Sequence, residues 1–315
     1  MKAYIPVIVG ATASGKTDTA VAFAKKTDGE IISADSMQIY TEMAIGTAKP
    51  TPSEMKGVAH HLIDCVSPKE AYSVARFQKD AFHAISDILG RKKTPVIAGG
   101  TGLYINALTK PWSFSGPEDT TVLRRSLEDD YDKNGAETMW QALHAVDPLT
   151  AEKIHPHNKQ RLVRALEIYH STGKPKSFWD EKAANVDMPY HYAIMGLTMP
   201  REILYERINR RVDLMIKKGL PEEVKALLDK GYDPELTSLQ AIGYKELIPA
   251  VKGEIPLSEA VETLKKNTRH FAKRQLTWFR KDHRIVTFDI TAYDSPETLA
   301  GAMVAHYQKQ LDGNK

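Results

Sequence analysis

The chain has 315 residues, of which 42% are hydrophobic and 26% charged, with a formal net charge of +3. Such a length exceeds one small domain and suits a core domain carrying an insertion or second lobe, with apolar residues enough for a sizeable core. A charge so close to zero excludes bulk electrostatics as an argument for a nucleic-acid partner, which has to be argued from where the cations sit. The one cysteine, Cys65, cannot close an internal disulfide, no secretion pattern opens the sequence, and no apolar run nears the ~20 residues of a membrane helix. A cytoplasmic protein without membrane association is therefore expected.

In chain order, three apolar runs come first, each ending in small or polar residues: "AYIPVIVG", "EIISADS" and "TPVIAGGTG". Between them lie the helical patterns "KTDTAVAFAKKT" and "VARFQKDAFHAISDILGRKK", the second repeating Phe77, Ala81, Ile85 and Ile88 at helical spacing. Alternation of this kind predicts an α/β fold, a parallel sheet flanked by helices that binds ligands beyond the carboxyl ends of its strands. From about Trp112 the pattern changes. "PWSFSGPEDT" reads as a break, "VLRRSLEDDYDKNGAETMWQALHAV" and "NKQRLVRALEIYHSTGK" as helices, and "PKSFWDEKAANVDMP" as a closing polar stretch. A mostly helical insertion over 112–189 is expected, set into a core formed by 1–111 and 190–315. "HYAIMGLTM" returns as a strand, followed by helices in "REILYERINRRVDLMIKKG", "PEEVKALLDKG" and, capped by Ser295 before Pro296, "DSPETLAGAMVAHYQKQL".

Five stretches carry chemistry. Gly10, Ala11, Thr12, Ala13, Ser14, Gly15, Lys16 and Thr17 fit G-x-x-x-x-G-K-[ST] between a strand and a helix. In that P-loop setting backbone N–H groups and the helix N-terminus face phosphate oxygens, Lys16 adds charge, and the Thr17 hydroxyl can ligate Mg²⁺. In "SADSMQIY", Asp35 at a strand end fits two roles, a base toward an incoming nucleophile or a turn cap, while Ser36 and Gln38 suit a polar substrate edge. "GGTGLY" ends the third strand with glycines and Thr101 where an ATPase often has a metal-holding acid; Thr101 could donate to a leaving oxygen, or the glycines could serve only to reverse the chain. Arg207 and Arg211 share a helix face as a pyrophosphate clamp or as a solvated basic face. Lastly, residues 265–284 hold eight Lys/Arg against one acid. There Lys266, Arg269, Lys273 and Arg280 fall within an arc of about 60°, beside an apolar stripe of Ala272, Leu276 and Phe279, which suits either a phosphodiester backbone or solvent. Lys159, Arg161 and Arg164 form a smaller basic set. His60, His61, His155 and His157 show no recognised metal spacing.

"GATASGKT", "ISADSMQIY", "IGTAKP", "HHLID", "AGGTGLY", "NKQRLVRALEIY", "QAIGYKE" and "AKRQLTWFR", in this order, closely resemble the tRNA dimethylallyltransferases, or isopentenylpyrophosphate:tRNA transferases. The resemblance runs from Val7 to about Arg280 and implies a P-loop NTPase-like core. It implies transfer of a dimethylallyl group from its diphosphate to N6 of the adenosine 3′ of the anticodon, with Mg²⁺ and with tRNA and dimethylallyl diphosphate as partners; a monomer is expected. The loop from Gly10 to Thr17 would hold the diphosphate, Asp35 would be the base, and Thr101 would meet the leaving pyrophosphate; from the residues themselves, Arg207 is expected at the diphosphate and Lys16 and Arg211 as catalytic charges on the leaving group. Contacts to the anticodon stem-loop would come from Asp35, Ser36, Met37, Gln38 and Thr101; from Lys159, Gln160, Arg161 and Arg164; from Gln240, Gly243 and Lys245; and from Lys273, Arg274, Gln275, Trp278 and Arg280.

Chemistry agrees with the resemblance. An exocyclic amine is a weak nucleophile, so stabilising the departing diphosphate has to supply most of the acceleration, and the base has to leave its stack to reach the allylic carbon. A P-loop small-molecule kinase would use the loop and Asp35 but leave the aromatic-basic helix without a task. A non-catalytic RNA-binding protein with a regulatory nucleotide site would leave Asp35 and Thr101 without one.

Overall fold

A computed structural model describes residues 2–112 and 120–313. The chain divides into two compact units, one made of Met1–Thr109 and Pro189–Lys315, the other of Lys110–Met188. Most of the expected break in "PWSFSGPEDT", residues 113–119, lies outside the described residues.

The first unit runs β1 (Tyr4–Gly10), α1 (Lys16–Lys26), β2 (Gly29–Ser33), α2 (Pro52–Met55), β3 (His60–His61), α3 (Val74–Gly90), β4 (Thr94–Gly99) and α4 (Gly102–Thr109). The second holds α5 (Thr121–Asn134), α6 (Ala136–Val146), α7 (Pro148–Ala151), α8 (Lys159–Thr172) and α9 (Lys176–Ala184). The chain then returns to the first unit with β5 (His191–Thr198), α10 (Arg201–Lys217), α11 (Leu220–Asp229), α12 (Ile248–Val251), α13 (Leu257–Arg280), β6 (Val286–Asp289) and α14 (Pro296–Asp312).

Among the described residues the strands form one six-stranded sheet in the order β3-β2-β4-β1-β5-β6, with every pairing parallel. β1 is central and apolar throughout because both of its faces are covered. Ile5, Val7 and Val9 face a core completed by Phe77, Ala81, Ile85 and Ile88 of α3 and by α11 and α13. Ile8 faces the opposite core, with Phe23 of α1 and Leu299, Met303 and Tyr307 of α14. Pro6, which cannot donate to a ladder, precedes the register with β4, which begins at Val7. Two strands escape the sequence reading: β3 has two residues, and the edge strand β6 is mostly exposed, so neither carries an apolar run.

The second unit has its own core of Leu127, Met139, Leu143, Leu162 and Leu166. Gly135, at φ 83, separates α5 from α6 where one continuous stretch of sequence reads as helical. α9 forms within the stretch expected to be merely polar. Buried Glu167 of α8 accepts hydrogen bonds from Arg124 at 2.9 and 3.2 Å and pairs with Arg164 at 2.9 Å.

Candidate active site

The carboxyl ends of β1, β2 and β4 open onto a cavity of about 660 Å³. Thr12, Ala13, Ser14, Gly15, Lys16 and Thr17 line it, while Gly10 and Ala11 lie behind the wall. The loop curls because Ala13 and Gly15 take left-handed backbone angles, φ 63 and 84, and Ser14 N–H donates to the Ala11 carbonyl at 3.2 Å. Lys16 Nζ folds back to the same carbonyl at 2.7 Å. Burial pulls the Lys16 ammonium down to about 8; the Asp35 carboxylate opposes that shift and the Arg211 guanidinium adds to it. Ser14 Oγ is buried with no hydrogen-bond partner, an orphaned hydroxyl in a cavity wall that calls for a polar ligand.

Asp35 leaves β2 and lines the cavity. Its Oδ1 accepts from Met37 N–H at 2.9 Å and Gln38 N–H at 3.3 Å. Oδ2 makes no hydrogen bond among the described residues, so one oxygen caps the turn and the other is open to a ligand. Thr101 does not line the cavity. Its Oγ1 accepts from Ser36 N–H at 3.1 Å and donates to Ser36 Oγ at 3.4 Å, while its N–H donates to the Ala34 carbonyl at 3.2 Å. Thr101 ties the end of β4 to the end of β2. The two ends approach so closely that a Cβ on Gly99 would lie 2.2 Å from the Ala34 carbonyl oxygen. Gln38 lines the cavity, but its Nε2 donates to the Thr47 and Ala48 carbonyls at 3.3 and 3.1 Å. Ser36 and Met37 do not reach the wall.

From α10, Arg207, Arg210 and Arg211 line the cavity, and Arg207 Nη2 lies 3.5 Å from the place of a Gly15 Cβ. Burial holds the Arg211 guanidinium below its usual value, with Asp35 and Glu54 opposing. The facing wall is the segment from Ala44 to Thr51. Glu223 of α11 holds it, accepting from the N–H groups of Ala44, Ile45 and Gly46 at 2.9, 2.8 and 3.1 Å, while Tyr244 OH donates to the same carboxylate at 2.6 Å. Sequence reasoning missed Arg210 and Glu223. Arg210 shares "RINRR" with its neighbours, but nothing local marks the second acid of "PEEVKALL" as facing a loop so distant in sequence.

The expected RNA-contacting residues fall into three groups. On α13, Lys273, Arg274, Trp278 and Arg280 are exposed, whereas Gln275 is buried and both ends of its amide are bonded within the protein. In the second unit, Gln160 and Arg161 are exposed; Lys159 pairs with Asp132 at 2.6 Å, and Arg164, part-exposed, pairs with Glu167 at 2.9 Å. Gln240 and Lys245 are exposed away from the cavity lining, but Gly243 is buried, with its N–H on Glu246 Oε2 at 2.8 Å, and serves as a turn. Gln275 and Gly243 are thus buried and bonded within the fold, whereas Arg164 keeps much of its side chain in solvent beside its internal partner.

Mg²⁺ binds beside phosphates through few protein oxygens, keeping water and phosphate for the rest of its shell. Thr17 opens α1 and lines the cavity, and among the described residues its hydroxyl has no hydrogen bond. One hard oxygen at a phosphate cradle fits that demand.

The sequence matches the IPP transferase family over residues 38–282. It is 48% identical to a tRNA dimethylallyltransferase of Acetivibrio thermocellus, over 93% of this chain and 94% of that one. Among solved structures, a tRNA isopentenylpyrophosphate transferase of Bacillus halodurans is 42% identical with a TM-score of 0.74, over 99% of this chain and 98% of that one. A eukaryotic dimethylallyltransferase acting on tRNA is 29% identical with a TM-score of 0.82, over 99% of this chain and 80% of that one. The parallel sheet and its first loop share the P-loop NTPase-like fold of these neighbours. Likeness of this extent, across both units, is common descent, and the chain belongs to the IPP transferase family.

Proposed function

We propose that the protein transfers a dimethylallyl group from dimethylallyl diphosphate to N6 of the adenosine 3′ of the anticodon in tRNA, releasing pyrophosphate, as a cytoplasmic monomer. One observation carries this reading: Asp35 presents an untied carboxylate oxygen to the cavity into which the phosphate loop of the neighbouring chain segment also opens. A base and a leaving-group cradle on one cavity suit displacement at carbon by a nitrogen nucleophile.

Lys16, the N-terminal amides of α1, Arg207 and Arg211 receive the diphosphate. Thr17 holds Mg²⁺, which when bound offsets the charge that grows on the leaving oxygens. As the C1–O bond breaks, the electron pair goes to the diphosphate and N6 bonds to the allylic carbon. Asp35 Oδ2 takes the N6 proton, and Oδ1, fixed by two backbone donors, keeps the carboxylate aimed. Lys273, Arg274 and Arg280 suit a phosphate backbone, Trp278 a nucleobase face, and Gln160 and Arg161 the anticodon stem.

The test is incubation with a tRNA transcript and radiolabelled dimethylallyl diphosphate, followed by digestion to nucleosides. Label in N6-dimethylallyladenosine is expected. Label absent from the nucleosides, with thermal protection by Mg·ATP but not by dimethylallyl diphosphate, would overturn the reading in favour of a kinase.

A further inference from the structure

One turn of α13 presents two chemically opposed faces. Arg274 and Trp278 are exposed, whereas Gln275 between them is only 7% exposed. Its Oε1 accepts from Thr12 N–H at 2.8 Å, and its Nε2 donates to the Gly100 carbonyl at 2.8 Å. A single amide therefore spans from the phosphate loop to the end of β4. Only one amide orientation satisfies both partners, since the flipped group would set donor against donor and acceptor against acceptor. The seat is close: a Cβ on Gly100 would lie 2.4 Å from Nε2. Loss of the amide would leave the part-buried Thr12 N–H and the buried Gly100 carbonyl unpaired.

We infer that Gln275 is a positioning residue for donor binding: it pins Thr12, the entry of the phosphate loop, against the end of β4, and acts on the diphosphate and not on RNA. The inference rests on the reading of the loop as the donor's diphosphate site. Arg274 and Trp278 on the same turn are free to meet RNA because Gln275 is turned the other way.

The experiment titrates inorganic pyrophosphate with Mg²⁺, and separately an anticodon stem-loop, into wild type, Gln275→Met, Gly100→Ala and the double variant. Gln275→Met keeps the length of the side chain and removes both bonds, while Gly100→Ala pushes the amide off its acceptor. Each single variant is expected to weaken pyrophosphate binding about tenfold and to raise KM for dimethylallyl diphosphate in parallel. Stem-loop affinity and its salt slope should stay within about twofold, and the double variant should be no worse than either single one. Weakened stem-loop binding with pyrophosphate affinity intact would overturn the inference. So would additive losses in the double variant, or a lowered Tm with both affinities unchanged. Wild-type protein that binds Mg·ATP but no pyrophosphate would instead remove the diphosphate reading itself, a failure visible without any variant.

Discussion

Burial outweighs the facing carboxylate of Asp35 and pulls the Lys16 ammonium down to about 8. A diphosphate needs the ammonium form, so kcat/KM for the donor is expected to be flat below about pH 8 and to fall up to about tenfold per unit above it, a limb that Lys16→Met should abolish. The same shift acts on the free protein. A lysine whose folded value lies below its ordinary 10.5 opposes folding in full below about 8, and the penalty fades as pH rises toward 10.5. Ligand-free Lys16→Met is accordingly expected to melt higher than wild type at pH 7, while losing donor binding. Asp35 was legible in the sequence only as an ambiguity between base and cap; in the structure Oδ1 caps the turn, and Oδ2 makes no hydrogen bond among the described residues. Asn keeps the capping oxygen and loses the base, so Asp35→Asn should lower kcat by about 10²–10⁴-fold with tRNA affinity almost unchanged. Comparable losses in both would argue against a base. The bonds of Thr101 to Ser36 and Ala34 were not legible, because a hydroxyl's partners depend on which strand ends become neighbours, and β2 and β4 meet only through the sheet order.

At the scale of elements, α13 was the most legible: its basic arc, apolar stripe and aromatic residues follow from helical spacing, and the helix extends over Leu257–Arg280. Legibility failed at Gln275, since periodicity says which side a residue faces but not what waits there. Lys273 is exposed beside Arg274, and if it touches one phosphate, Lys273→Ala should weaken stem-loop binding and reduce the slope of log K against log salt by about one. A slope equal to wild type would remove Lys273 from the interface. The wall from Ala44 to Thr51 illustrates the opposite case. "IGTAKP" has no periodicity and no chemistry of its own, and its place is set by Glu223 and Tyr244, which are separated from it by much of the chain. Short β3 and exposed β6 were illegible for a simpler reason: an edge or two-residue strand has too few buried positions to leave a pattern.

For the molecule as a whole, alternation of strand and helix followed by helices alone was enough to read both the parallel sheet and the interruption in it, because each architecture imposes its own period. The two units have separate cores, and each is expected to respond to its own mutations. Leu162 is fully buried within the second core. Leu162→Ala should cost about 2–5 kcal/mol there, raising hydrogen exchange through α5, α6 and α8 and leaving the amides of β1 and α1 protected as in wild type. Equal loosening of both units would contradict separate cores. The sheet also sets how far the chemistry can wander. Gly99 and Ala34 meet with no room for even a methyl group, so the spacing of the β4 end from the β2 end, next to Asp35, is gauged by a missing side chain. Side chains elsewhere around the cavity can change without touching that seam, but at Gly99 no substitution is available that does not push one strand end away from the other.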